Sequence, residues 1–338
     1  MTQVKADCLI VTKSANVTYI TGFSGEDSWA IVMPKGVSLV TDSRYSEQAR
    51  QECKRCRIIV RKKGMVKTIA EMLQNRRGMR IAVEKSASIA EFEQLKKCLP
   101  GRLKAIGNIV ETVRRTKDES EIAAIREAAR IAARAFENTR RQIKHGMTEN
   151  ELAGILDLEI RKSGGQHAFE TIAAFGANAS RPHHRPTSRK LRKNDTVLID
   201  FGVRFNGYCC DITRCFTSGK ISRLYYRVYK AVQKAQAAAL KEIKAGVEIT
   251  KVDSAARTVI KKSGLPVYGH GTGHGLGLEV HEMPSLSPKT EGTLQAGNVI
   301  TIEPGVYMPG KLGVRIEDDV LVTEKGPVLL SKIPKNLE

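Results

Sequence analysis

Leu198 to Asp211, LIDFGVRFNGYCCD, is the segment around which the other elements are ordered. Two apolar-rich segments flank Asn206-Gly207, the dipeptide best suited to a two-residue hairpin turn, because both turn positions need positive φ. That turn sets Phe205 opposite Tyr208, and it pairs Asp200 with Thr213 and Asp211 with Gly202. Residues two apart share a face, so Asp200 and Asp211 become diagonal neighbours on one side of the ribbon. Two like charges there repel, and a half-buried carboxylate pair calls for a cation or for one shared proton. An equally open reading leaves one aspartate solvated at a strand end and the other paired with an arginine.

Length and composition bound the class. The 338 residues hold enough apolar material for a large core and suggest two domains. The chain lacks a run of about 18 apolar residues that would span a membrane. Its first twenty residues lack the apolar core of a secretory signal, so a cytoplasmic protein is expected. Seven scattered cysteines fit that expectation; Cys53 and Cys56 form one CxxC, without a second pair at zinc-site spacing. Formal charge is +20, and Arg50–Lys63 and Arg189–Lys193 are basic clusters that could meet phosphates. Acidic residues are interspersed, aromatics make up only 5%, and no nucleic-acid motif is present, so solvated basic faces are the better account.

From residue 1 to about 112, strand-like and helix-like pieces alternate. CLIVT (8–12), NVTYIT (16–21), WAIVMP (29–34), VSLVTD (37–42), RIIV (57–60) and RIAVE (80–84) read as strands. Helical spacing covers 66–75 and 88–98. Two polar loops, 19–25 and 41–45, are ligand-facing candidates or ordinary turns. Near Arg114–Lys117 the character changes. A capping box of Thr116 with Glu119 opens a helix through Ile122, Ile125, Ala129, Ala132 and Phe136, and Thr148 with Glu151 opens a second. A loop, AFGANASRPHHRP (174–186), and the acidic hairpin follow. Helices from Ser222 and Thr250, the loop YGHGTGHGLGLEVHE (268–282) and two acidic strands repeat that outline, predicting a two-fold pseudo-repeat whose acidic strands meet in the middle.

Five of the seven histidines lie in those two loops: His183 and His184 in the first, His270, His274 and His281 in the second. Glu303 ends an apolar strand at a Pro-Gly turn, and Glu317 follows Arg315 by two residues, on the same face. Buried strand ends rarely hold carboxylates without a partner. Asp200, Asp211, Glu303, Glu317 and one histidine form an oxygen-rich donor set suited to hard divalent ions, manganese first, with cobalt, iron or zinc as alternatives. Four carboxylates balance two such ions, which points to a two-metal site with a bridging hydroxide as nucleophile.

The order VLIDFG, DITRCF, GTGHGLGLEVHE, TIEPG and RIEDD resembles the M24 metallopeptidases of the creatinase, methionine aminopeptidase and prolidase type. NVTYITGFSG and TDSRYSEQA are similar to the smaller creatinase-type amino-terminal domain, so the resemblance spans the chain. It implies an α+β fold, with a creatinase-type α/β domain over 1–115 and a pita-bread catalytic domain over 116–338. It places the metal ligands at Asp200, Asp211, His274, Glu303 and Glu317. Asp211 and Glu317 would bridge both ions, Asp200 would complete one, and His274 and Glu303 the other.

PHHRP (182–186) is similar to the PHxxP loop of aminopeptidase P and prolidase, which puts the substrate-binding histidine at His183 and leaves His184 dispensable. His281 would steady the tetrahedral oxyanion, His270 would line the pocket, Arg315 would orient Glu317 or a substrate carboxylate, and Glu303 would carry the proton. Arg181 and Arg185 depart from the small or acidic residues often found beside that histidine. The implied reaction is hydrolysis of the amide before proline by an Xaa-Pro aminopeptidase, with an Xaa-Pro dipeptidase (prolidase) as alternative. The family also implies a homodimer acting on proline-containing peptides, without nucleic acid or membrane. A non-catalytic binding protein on the same fold is a more distant alternative, against which the complete ligand set argues.

Overall fold

The computed structural model describes residues 5–76 and 78–337. The chain divides into two compact units, Met1–Arg114 and Arg115–Glu338. In the first, β1 (Cys8–Val11), α1 (Ser14–Thr21), β2 (Trp29–Met33), β3 (Gly36–Thr41), α2 (Ser46–Glu52), β4 (Arg57–Val60), α3 (Met65–Leu73), β5 (Arg80–Glu84), α4 (Ile89–Cys98), β6 (Arg102–Ile106) and α5 (Ile109–Arg114) follow in order. The sheet runs β4-β3-β2-β1-β5-β6. Its period-2 alternation feeds two cores. Cys8, Ile10 and Ile31 pack with Val66, Ile69 and Leu95 from α3 and α4, while Leu9, Val11 and Leu39 pack with Val17, Ala49 and Val110 from α1, α2 and α5. A side chain such as Ile10 or Leu39, wholly shielded from water, contributes about 1.5–3 kcal/mol relative to exposure.

One expected strand is a helix. Residues 16–21 are rich in β-branched side chains, yet they fold as α1. Tertiary contacts override the propensity. Asn16, buried, donates from Nδ2 to Glu84 Oε1 at 2.5 Å and accepts from Arg114 Nη1 at 2.6 Å, and Gly22 closes the helix at φ 78°. The elements α2, β6 and α5 add to those that periodicity revealed.

The second unit begins with α6 (Glu119–Arg140) and α7 (Glu149–Lys162). The first box is Asp118 with Glu121, two residues later than expected, because Lys117 N–H is still bonded to the Gly297 carbonyl. The Thr148–Glu151 box forms as expected. Next come β7 (Gln166–His167), β8 (Ile172–Phe175), β9 (Thr196–Phe201), β10 (Val203–Phe205), β11 (Tyr208–Cys209) and β12 (Ile212–Thr217). After α8 (Arg223–Glu242) and α9 (Ile249–Lys262) the chain adds β13 (Gly273–Gly275), β14 (Glu282–Leu286), β15 (Val299–Ile302), β16 (Gly305–Met308), β17 (Leu312–Arg315), β18 (Asp318–Thr323) and β19 (Gly326–Leu329).

Asn206 at φ 47° and Gly207 at φ 84° make the expected turn, with Phe205 opposite Tyr208 and Asp200 opposite Thr213. The ribbon nevertheless breaks at Gly202. One half pairs as β12-β9-β8, and the other as β11-β10-β7. The Asp211 N–H leaves the ladder for the carboxylate of Asp319, so Asp211 forms no ladder pair with Gly202. Val197, Ile199 and Phe201 of β9 face the core under α6 and α7, which leaves Leu198 and Asp200 on the opposite side. The second half repeats the scheme, with α8 and α9 packed on the sheet β14-β13-β15-β18-β19. The halves meet where Glu317 N–H donates to the Thr213 carbonyl at 3.2 Å.

Candidate active site

Where the halves meet, a cavity of about 650 Å³ is lined by Asp200, Asp211, His274, Glu303 and Glu317, with His183, His270, His281 and Arg315 around them. The nine residues given metal, substrate or proton roles from the sequence therefore border one space, whereas, among the described residues, loops 19–25 and 41–45 contribute nothing to it. Asp200 comes from β9, and Asp211 from the bend before β12. His274 sits in the middle of β13, where a Cβ on Gly273 would lie 1.9 Å from the Thr301 carbonyl oxygen; only glycine lets β13 approach so closely. Glu303 follows β15, and Glu317 lies between β17 and β18.

Asp211, His274 and Glu317 each offer a ligand atom within 4.8 Å of the others. His274 Nε2 is 3.4 Å from Glu303 Oε1 and 3.7 Å from Asp211 Oδ2. Asp200 and Asp211 are both buried, and the Oδ1 atom of each lacks a hydrogen-bond partner. Neither is the solvated strand-end aspartate of the alternative reading. Burial, reinforced by the neighbouring carboxylates Glu317 and Asp200, raises the Asp211 carboxyl well above its usual range. Burial and then Glu303 and Asp200 do the same to Glu317. Burial pushes Glu303 up to about 7 although Arg315 opposes the shift. His274 and His270 are brought down to about 4, in each case chiefly by burial. Orphaned carboxylate oxygens, mutually repelling acids and a neutral imidazole fit hard divalent cations, which would take the place of the protons.

Arg315 is more connected than its sequence position shows. Its Nη2 lies 2.5 Å from Asp200 Oδ2, Nε donates to Thr213 Oγ1 at 3.0 Å, and Nη1 donates to the Tyr307 hydroxyl at 2.8 Å. Thr213 in turn donates to Glu317 Oε2 at 2.6 Å, so Arg315 reaches Glu317 through a hydroxyl. Tyr307 is also 3.1 Å from His270 Nε2, which links the pocket histidine to the same chain of hydrogen bonds. His281 stands edge-on to His274, ring centroids 4.2 Å apart, and His183 and His281 present exposed rings to the cavity.

Several supporting residues escaped the sequence reading. His184, expected to be dispensable, is buried and 2.9 Å from the fully buried Glu149. Asp319 accepts the Asp211 N–H at 3.2 Å, and Asp318 receives Arg214, Ser331 and Gln236. The doubled acid after Glu317 was the available signal for that pair. Glu149, at the first turn of an amphipathic helix, looked like an ordinary helix-start acid.

An acid-rich cavity where two α/β halves meet, with a donor set suited to divalent cations, is what a metal-dependent hydrolase requires. Residues 123–324 match Metallopeptidase family M24 and residues 1–116 match the Creatinase/Prolidase N-terminal domain, so the chain belongs to the M24 metallopeptidases. An uncharacterized peptidase of Bacillus subtilis is 35% identical over 99% of this chain and 96% of its own length. The crystal structure of an X-Pro aminopeptidase from Thermotoga maritima superposes with a TM-score of 0.91 at 35% identity, covering 98% of this chain and 97% of that one. A Xaa-Pro dipeptidase from Bacillus anthracis gives 0.95 at 32% identity, covering 99% and 96%. The chain is thus a peptidase of the Xaa-Pro aminopeptidase and prolidase type, with the pita-bread fold. Among the described residues no helix is long and apolar enough to cross a membrane.

Proposed function

We propose that this chain is an Xaa-Pro aminopeptidase that uses two divalent ions, manganese first, and removes the residue ahead of a penultimate proline. Residues 1–115 would be its creatinase-type domain and 116–338 its catalytic domain, in a homodimer. The observation that carries the reading is the cavity itself. Its acids and histidines cluster together, while Glu170 and Arg185, which also line it and pair with each other at 4.0 Å, have side chains 74% and 86% exposed. That exposure supports the reading of room for a chain longer than a dipeptide.

Asp200, Asp211, His274, Glu303 and Glu317 would hold the ions, with Asp211 and Glu317 shared between them. When bound, the ions supply Lewis acidity that makes water nucleophilic at neutral pH and polarises the scissile carbonyl. Glu303 accepts the proton of the attacking water and delivers it to the leaving proline nitrogen. His281 donates to the oxyanion, His183 and His270 hold the substrate, and Arg315 fixes Asp200 in place. Because the peptide nitrogen of proline bears no hydrogen, binding depends on ring shape and on the carbonyl.

The test compares an Ala-Pro dipeptide with a longer peptide carrying proline second, using metal-stripped protein refilled with manganese. Cleavage of the longer peptide supports the aminopeptidase. Cleavage of the dipeptide alone makes the protein a prolidase, and cleavage of neither with metal bound removes the proposal.

A further inference from the structure

The loop that leaves β8 and carries His183 is tied to α7 by one carboxylate. Glu149 is wholly buried at the start of α7. Its Oε1 accepts the Phe175 N–H and the Asn178 Nδ2–H, both at 2.8 Å, where the loop begins. Its Oε2 accepts His184 Nε2–H at 2.9 Å, Thr187 N–H at 3.0 Å and Thr187 Oγ1–H at 2.6 Å, where the loop ends. Five donors exceed the roughly four lone-pair sites of one carboxylate, so some share a site, and against the effect of burial they hold Glu149 below the usual carboxylate range. His184 is 4% exposed and turned into this knot, while its neighbour His183 presents an exposed ring to the cavity.

We infer that Glu149 and His184 are positioning residues that latch the loop so that His183 is presented to the substrate. The inference rests on the proposed role of His183. The second half of the pseudo-repeat is built alike, which argues against a chance contact. On α9, buried Asp253 accepts Thr272 Oγ1–H at 2.7 Å, and Arg257 donates to the carbonyls of Tyr268 at 2.8 Å and His270 at 2.5 Å. In each half, the second helix of the pair grips the loop bearing a cavity histidine. A loop gripped only by backbone contacts would leave that imidazole a range of positions, and misplacement by about 1 Å can cost on the order of 100-fold in rate.

The experiment is a double-mutant cycle between His183→Ala and His184→Ala, with His184→Gln as the conservative variant, reading kcat, KM, bound manganese and thermal midpoint. His184→Ala is expected to lower kcat/KM about 10-fold to 100-fold, as loss of outer-shell support does elsewhere, with manganese content unchanged. His184→Gln, whose amide can still donate to Glu149, is expected to recover most of that loss. In the His183→Ala background, His184→Ala should cost nothing further. If His184→Ala does not fold, Glu149→Gln replaces it in the same cycle with the same expectation. A lowered midpoint with kcat and KM unchanged, or losses that simply add, overturns the latch while leaving the role of His183 intact. Full activity in His183→Ala alone removes both.

Discussion

Oδ2 of Asp200 lies 2.5 Å from Nη2 of Arg315, and both side chains are buried. The pairing uses one carboxylate oxygen and leaves Oδ1 without a partner. Removing the guanidinium strands a buried charge, which costs about 3–5 kcal/mol. A cation beside Oδ1 offsets part of that cost. Arg315→Met is therefore expected to destabilise the metal-free protein by about that amount and the manganese-loaded protein by clearly less, measured by denaturant unfolding in chelator and in manganese. Equal losses in both conditions would show that Asp200 does not share its charge with a metal.

Stability of the metal-free protein should fall as pH rises above about 6.5. Glu303 is raised to about 7, and Asp211 and Glu317 well above their ordinary values, so the folded state holds protons that the unfolded chain has released. Each retained proton costs about 1.4 kcal/mol of stability per pH unit between the unfolded and the folded value of its group. That loss ends once the folded group releases the proton, near pH 7 for Glu303 and well above their ordinary values for Asp211 and Glu317. His274 and His270, lowered to about 4, act in the opposite sense, but only below about 6.5, where the unfolded imidazole titrates. Manganese should displace the protons and flatten the slope. Thermal melts at pH 6.5, 7.5 and 8.5 in chelator and in manganese check this; a metal-free midpoint that rises with pH contradicts it.

Asp211→Ala and His281→Ala should separate metal binding from turnover. Asp211 sits among the acids, within reach of His274 and Glu317, so its loss should abolish bound manganese and activity together. His281 meets the cluster through its ring edge against His274. Its loss should keep the manganese and lower kcat about 100-fold to 1,000-fold, as removal of an oxyanion donor does. Elemental analysis beside steady-state kinetics reads both. Retained activity in Asp211→Ala would end the two-metal reading.

Gly202→Ala should damage the site from a position that bears no chemistry. A Cβ there would lie 2.5 Å from the Cys210 carbonyl oxygen and 2.6 Å from the Phe169 ring. Relief requires moving the bend between Asp200 and Asp211, at a cost of about 1–3 kcal/mol. The expected result is a lower thermal midpoint together with weaker manganese affinity by calorimetry. A lower midpoint with unchanged affinity would mean that the bend does not set the spacing of the two aspartates.

Legible in the sequence were the turn at Asn206-Gly207, the register that puts Asp200 opposite Thr213, the outline of paired helices followed by acidic strands, and the nine residues given metal, substrate or proton roles, all of which border the cavity. These follow from local rules: a turn dipeptide, alternation in strands, caps on helices, and ordered motifs. Long-range packing, which local spacing does not record, makes residues 16–21 a helix and splits the hairpin at Gly202. The same holds for the partner of Arg315, which is Asp200, and for the place of His184, which is against Glu149 rather than idle in a loop. Each of these joins residues 35 or more apart in the chain or depends on a backbone meeting another segment. Local propensity and spacing carry no record of such partners, because burial and charge pairing across the fold select them only once the chain has closed.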